Sequence, residues 1–237
     1  MQRYFAKDMV DNHIILHDSD MHHIKNVMRM SSEDDIECIL DSKLYLCKVG
    51  DVNSNRFSII GEIDENNELD VDITIAIGLV KEQKMDLILQ KLTELGVKRI
   101  IPVSMERSIV KLDDNKFKKK RVRWEAICKE ASEQSHRNIV PEITDIMSIK
   151  ELNNINADIK MVCSVKEREN LVNKYLQDNI DCATMIFVIG PEGGISDKEE
   201  SLLNSFGYES VSLGSRVMRV ETAAIYVASV MNFCSMR

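Results

Sequence analysis

The chain has 237 residues, 44% hydrophobic and 30% charged, with a formal net charge of −8. That length and balance exclude a disordered or fibrous chain and leave one large domain or two unequal ones, of which two are expected. No apolar run approaches the roughly 20 residues of a membrane-spanning helix, and Met1-Gln2-Arg3-Tyr4-Phe5 lacks the apolar block of a signal peptide, so the expected location is cytoplasmic.

Six cysteines (Cys38, Cys47, Cys128, Cys163, Cys182 and Cys234) occur without a C-x-x-C pair, which argues against a disulfide framework or a zinc site. They read as reduced thiols, and no metal is expected. The acidic excess is local: residues 1–70 carry 7 Lys+Arg against 15 Asp+Glu, leaving 24 against 24 in residues 71–237.

Within the first 70 residues, short alternating segments at Ile36 to Leu40, Leu44 to Val49 and Arg56 to Ile60 are separated by turn-formers, the rhythm of a small β-barrel. A helical stretch over His22 to Met30 places Ile24, Val27 and Met28 on one side. The polar run Asp64 to Glu68 predicts a linker, so the expected domains are residues 1–70 and 71–237.

From Val71 the period changes. Ile73 to Leu79 is an apolar run suited to a strand covered on both faces, and Lys84 to Leu95 repeats apolar residues at helical spacing before a Gly96 cap. A strand over Val97 to Val103, stopped by Pro102, comes next. The alternation continues with a helix near Val122 to Ser135, a strand near Ile159 to Ser164, a helix near Glu167 to Gln177 and a strand near Thr184 to Ile189. Such alternation predicts an α/β domain with a mostly parallel sheet and a ligand site where strands end.

Five of the nine glycines fall between residues 190 and 214. The strand ending at Ile189 runs into Gly190-Pro191-Glu192-Gly193-Gly194, and Ser196 to Glu199 forms an S-x-x-E capping box for the next helix. Glycines at such a junction let the main chain approach a ligand, or simply make a tight turn. The cluster lacks both the G-K-[ST] ending of a P-loop and the G-x-G-x-x-G spacing of a dinucleotide fold, which removes kinase, GTPase and dehydrogenase readings. Neither G-x-S-x-G nor H-E-x-x-H occurs, which leaves hydrolase readings without support. After a strand at Ser210 to Leu213, the segment Gly214 to Ala224 sets Arg216, Arg219 and Glu221 before an almost uncharged helix, Ala224 to Met231. An ion pair at a helix start is the ordinary reading of those three residues.

Together these segments resemble the RsmE family of ribosomal RNA uridine N3-methyltransferases, within the SPOUT superfamily. The blocks that carry the likeness are Arg3-Tyr4-Phe5, His23 to Arg29, Lys91 to Gly96, Glu106-Arg107-Ser108, Glu133-Gln134-Ser135 with Arg137, Gly190 to Gly194 and Leu213 to Ala223. The resemblance implies a PUA-like RNA-binding barrel over residues 1–70 and a SPOUT domain over 71–237, whose C-terminal part threads a trefoil knot and which acts as a homodimer. It implies S-adenosyl-L-methionine as cofactor, held by Cys163, Ser164, Val165, Gly190, Pro191, Glu192, Gly193, Gly194, Leu213, Gly214, Val217, Met218, Arg219, Thr222 and Ala223. Met218 stands where a leucine is commoner in the family, a change that nearly keeps volume.

On that reading the reaction is methyl transfer to N3 of a uridine in small-subunit (16S) ribosomal RNA. Arg219 is expected to stabilise the developing uracil anion, and Glu221 to orient Arg219 or take the proton. RNA contacts are expected from Arg3, Lys25, Arg29, Lys81, Arg107 and Arg137, and from part of the basic run at residues 116–123, which otherwise reads as a solvated helix start. The acidic first part predicts a preference for assembled small-subunit particles over bare RNA. Two alternatives stay open: a SPOUT enzyme acting elsewhere on ribosomal or transfer RNA, and a non-catalytic RNA-binding assembly factor.

Overall fold

The computed structural model describes residues 1–173 and 182–235. Contacts divide the chain into two units, Met1–Glu68 with Lys129–Val140, and Leu69–Cys128 with Pro141–Arg237.

The first unit is a six-stranded sheet of β1 (Arg3–Phe5), β2 (Asp8–Val10), β3 (His13–Ile15), β4 (Asp35–Leu40), β5 (Lys43–Lys48) and β6 (Phe57–Ile63), ordered β1-β4-β5-β6-β3-β2. Only the β1–β4 pairing is parallel. The three strands expected from alternation are present, and the short β1 to β3 add to them. One face of the sheet buries Tyr4, Ile14, Ile36, Cys38, Cys47 and Phe57, each large apolar side chain contributing about 2 kcal/mol of burial. The helical stretch differs from expectation. A five-residue helix, α1 (Asp18–His22), passes into a π-helical turn at His23–Met28 that ends in a left-handed Arg29. The wider turn rotates the side chains, so Ile24 is buried while Val27 and Met28 are exposed.

Buried ion pairs explain why residues 129–140 join this unit, which the sequence reading placed beyond the boundary. Arg3 is 1% exposed. Its guanidinium donates to Glu37 (2.7 Å), Glu65 (2.8 Å) and the His136 carbonyl (2.6 Å). Arg137, also buried, is held by Glu68, which accepts from the Asn138 and Ile139 N–H groups as well. Lys129 bridges Asp20 (2.6 Å) and Glu133 (2.7 Å). Burying a cation is tolerable only when its donors are filled in this way. Arg3 and Arg137 therefore brace the unit, and the expectation that they contact RNA is corrected.

The second unit is built on β7 (Asp72–Gly78), β8 (Arg99–Ser104), β9 (Glu142–Ile143), β10 (Met147–Ser148), β11 (Ile159–Cys163), β12 (Thr184–Ile189) and β13 (Glu209–Val211). The order is β10-β8-β7-β12-β11-β13, with β9 also on β8. Every pairing is parallel. Ile73, Ile75, Ala76 and Ile77 of β7 and Ile186, Phe187 and Val188 of β12 are consecutive and buried, as strands covered on both faces require. Pro102 does not stop β8. The main chain of residues 98 and 100 faces β9, so Pro102 turns its missing N–H toward the gap between β9 and β10, where no ladder bond is lost.

The helices are α2 (Glu82–Glu94), α3 (Asp114–Gln134), α4 (Asp197–Ser205) and α5 (Val220–Ser235). Gly96 takes the left-handed backbone expected after α2, at φ +87°. Helix α3 begins eight residues earlier than expected because Asp113 accepts the Lys116 N–H at its start. The basic run thus lies inside this helix, paired with acids: Lys116 with Asp113, Lys120 with Glu82, Arg121 with Glu125 and Asp145, and Arg123 with Asp86. Within it, Lys118 and Lys119 alone have no carboxylate partner among the described residues. Of the helix expected over Glu167 to Gln177, residues 174–177 lie outside the described residues, 167–170 are not helical and 172–173 are.

Candidate cofactor pocket

Four neighbouring strands end level. Ile77 is opposite Ile189, Ile189 opposite Cys163, and Cys163 opposite Val211. In a parallel sheet the connections leaving such ends converge on one edge, where ligands bind. Here they enclose a cavity of about 520 Å³, within the range of small-molecule sites.

The loop after β12 is folded tightly on itself. The Gly194 N–H donates to the Pro191 carbonyl at 2.8 Å. A Cβ on Gly190 would lie 2.8 Å from both Gly194 C and Ile195 N, so only glycine closes this turn. Helix α4 then starts with the expected capping box, Ser196 and Glu199 bonding reciprocally.

The cavity wall brings together Cys163, Ser164, Val165, Gly190, Pro191, Glu192, Gly193, Gly194, Leu213, Gly214, Val217, Met218, Arg219 and Ala223. Of the residues singled out in the sequence, Thr222 faces solvent on α5, and Glu221 stands behind the wall. Burial pushes the Cys163 thiol up to about 12, so it stays neutral.

Sequence reasoning missed Lys84, Lys166, Arg168 and Glu200, which also line the cavity, as does Arg216, which it had singled out only as part of an ion pair at a helix start. A signal existed for Lys84: it sits at the start of the helix following a central strand, and parallel topology turns every such start toward the same edge. Its ammonium lies 3.1 Å from Glu192 and 3.6 Å from Glu221. Burial alone would raise the Glu192 carboxyl, but a hydrogen bond from its own backbone and the Lys84 ammonium hold it below the usual carboxylate range. Glu221 is thus paired with Lys84 rather than with Arg219, which corrects the expected orienting contact. Its Oε2 is buried and accepts no hydrogen bond among the described residues.

The cations around the opening are deployed differently. Lys166 pairs with Asp197. Arg168, Arg216 and Arg219 are exposed, with no carboxylate partner among the described residues. Lys25, Arg29 and Lys81 keep their side chains at or near the surface. Arg107 donates instead to the carbonyls of Gly193 and Ile195.

A family model described as an RNA methyltransferase domain matches residues 67–232, and one described as an RNA methyltransferase PUA domain matches residues 16–60. The chain is 36% identical to ribosomal RNA small subunit methyltransferase E of Bacillus subtilis, over 98% of this chain and 96% of that protein. The chain belongs to the ribosomal RNA small subunit methyltransferase E family. The enzyme of this name from Mesomycoplasma hyopneumoniae is 34% identical over 96% of this chain and 97% of its own. The Neisseria gonorrhoeae family member, solved bound to S-adenosylmethionine, superposes with a TM-score of 0.86 at 28% identity, covering 98% of this chain and 97% of that one. The match to the RNA methyltransferase domain spans every residue of the cavity wall.

Proposed function

We propose that the protein is an S-adenosylmethionine-dependent methyltransferase acting on N3 of a uridine in small-subunit ribosomal RNA, and that the cavity beside β12 holds the methyl donor. The observation that carries the reading is the convergence of three connections, at residues 163–165, 190–194 and 213–219, on one pocket. The pocket fits the donor chemically as well as in size. S-adenosylmethionine is cationic at its sulfonium and amino groups and anionic at its carboxylate, and the wall offers Glu192 and Glu200 for the first two and Lys84, Arg168 and Arg216 for the third.

When bound, S-adenosylmethionine supplies a methyl group on an activated leaving group. The chain's own residues must handle the base. Uridine N3 is a weak nucleophile until its proton passes to water at the opening, and the unpaired Arg219 guanidinium there stabilises the negative charge that then develops before N3 takes the methyl group and the thioether leaves. Glu221 acts at one remove, holding Lys84 and through it Glu192 in place. Arg168 and Arg216 grip phosphates beside a base that has left its stack, with Lys25, Arg29, Lys81 and the free Lys118 and Lys119 as outlying contacts.

Three further readings belong to this proposal. The C-terminal chain threads a knot, a reading supported by β13 lying at the sheet edge while α5 packs back on α2, β7 and β12. The enzyme works as a homodimer in the cytoplasm; Tyr226 and Phe233, seven residues apart on α5, expose one aromatic face suited to a second copy. The target is the assembled small subunit, because the unpaired cations are few and scattered and need an RNA already folded to present its phosphates to them.

The test is to incubate the protein with labelled S-adenosylmethionine and small subunits lacking the modification, then identify the nucleoside by mass. N3-methyluridine, formed faster on particles than on naked RNA, is expected. Label in another nucleoside would move the target, and no transfer would remove the enzymatic reading.

A further inference from the structure

The Glu106-Arg107-Ser108 turn after β8 contributes nothing to the cavity wall, yet three observations tie it to the loop that does. Arg107 Nη1 donates to the Gly193 carbonyl at 3.2 Å and to the Ile195 carbonyl at 3.3 Å. The Glu106 N–H donates at 2.7 Å to Glu199 Oε1. Glu199 Oε2 accepts the Ser196 N–H at 3.0 Å in the capping box, so the turn also grips the start of α4. Finally, a Cβ on Gly193 would lie 2.9 Å from Arg107 Cβ and 3.2 Å from the Arg107 carbonyl oxygen. The press of this turn leaves no room for a side chain at position 193.

We propose that Arg107 is a positioning residue of the cofactor pocket, a strut that holds the 190–195 loop in its binding shape, and not a contact to RNA phosphate. The physical reason is that the loop's carbonyls point outward from a turn whose inner side faces the cavity. One terminal nitrogen of the guanidinium satisfies both at once, its two N–H directions fixed by the planar group, whereas a lysine ammonium would have to be held there on a flexible stem. Charge-assisted hydrogen bonds of this kind restrict the loop before any ligand arrives and spare the ordering cost at binding.

The inference rests on the cavity being the S-adenosylmethionine site, so two readouts are needed. Amide hydrogen exchange across residues 190–195 reads the strut with no ligand present. Arg107→Met is expected to speed exchange there about tenfold, the equivalent of one charge-assisted hydrogen bond, and Arg107→Lys to recover only part of the protection. Unchanged exchange in Arg107→Met overturns the strut, whatever the cofactor does.

Calorimetric titration with S-adenosylmethionine is the second readout. Arg107→Met and Gly193→Ala are each expected to weaken binding about tenfold, and the double variant no more than either alone, because the added methyl already pushes the turn away. Independent, multiplying losses would overturn the shared mechanism. Normal cofactor affinity in Arg107→Met, with the salt slope of RNA binding reduced by about one contact, would make Arg107 a phosphate reader. A wild-type protein that binds no S-adenosylmethionine, with exchange still altered by Arg107→Met, would sink the proposed function and leave the strut standing.

Discussion

Arginine serves opposite ends in the two units. In the first, Arg3 and Arg137 are buried; Arg3 donates to two carboxylates and a carbonyl, and Arg137 is held by the Glu68 carboxylate. In the second, Arg168, Arg216 and Arg219 stand exposed at the edge of the cavity with no acid beside them among the described residues. The acidic excess of the first 70 residues is therefore partly a set of counter-charges: Asp20, Glu37, Glu65 and Glu68 each face a buried or half-buried cation. A net charge of −8 misleads as a guide to RNA binding, because what matters is which cations remain unpaired.

The comparison breaks first at Arg3. Replacing Arg3 with Met leaves Glu37 and Glu65 without their partner and is expected to cost about 3 kcal/mol of unfolding free energy, read by urea titration, with the salt dependence of RNA binding unchanged. A loss of RNA affinity without a loss of stability would put Arg3 back among the contacts. Arg219→Ala should do the reverse: methyl transfer in a single turnover falls about a hundredfold, while stability moves by less than about 0.5 kcal/mol, the range of an exposed substitution.

Smaller effects sharpen the contrast. The double variant Arg168→Ala with Arg216→Ala should lower the slope of log affinity against log salt by about 1.4 if both touch single-stranded phosphates. No change in slope would confine phosphate binding to other cations.

The smallest effect is at Glu192. Its folded value lies below the ordinary 4.5, so its contribution is complete above that pH and fades as pH falls through the lowered value. With the side chain partly in solvent, screening leaves about 0.3 kcal/mol. Unfolding curves followed downward from pH 4.5 should lose this small acid limb in Glu192→Gln.

The layout of the second unit was legible because its signals are local. Consecutive apolar residues at β7 and β12, a helical stripe before Gly96 and an S-x-x-E box each depend on neighbours in sequence. The π turn at His23–Met28 was not legible, since Ile24, Val27 and Met28 fit an ordinary helix period equally well and only packing selects the wider turn. Nor could spacing reveal that Glu68 closes on Arg137 or that Lys84 reaches Glu221, contacts spanning 69 residues and more. The glycine loops marked the pocket. The charged groups that complete it came from strand ends brought level by the sheet, a property of register rather than of composition.

The account turns on one cavity holding the methyl donor. A crystal structure of the protein grown with S-adenosylmethionine tests this most directly: the account predicts the donor between residues 163–165, 190–194 and 213–219, with Arg219 at the open side. A donor bound elsewhere, or a cavity still empty at millimolar concentration, would contradict it.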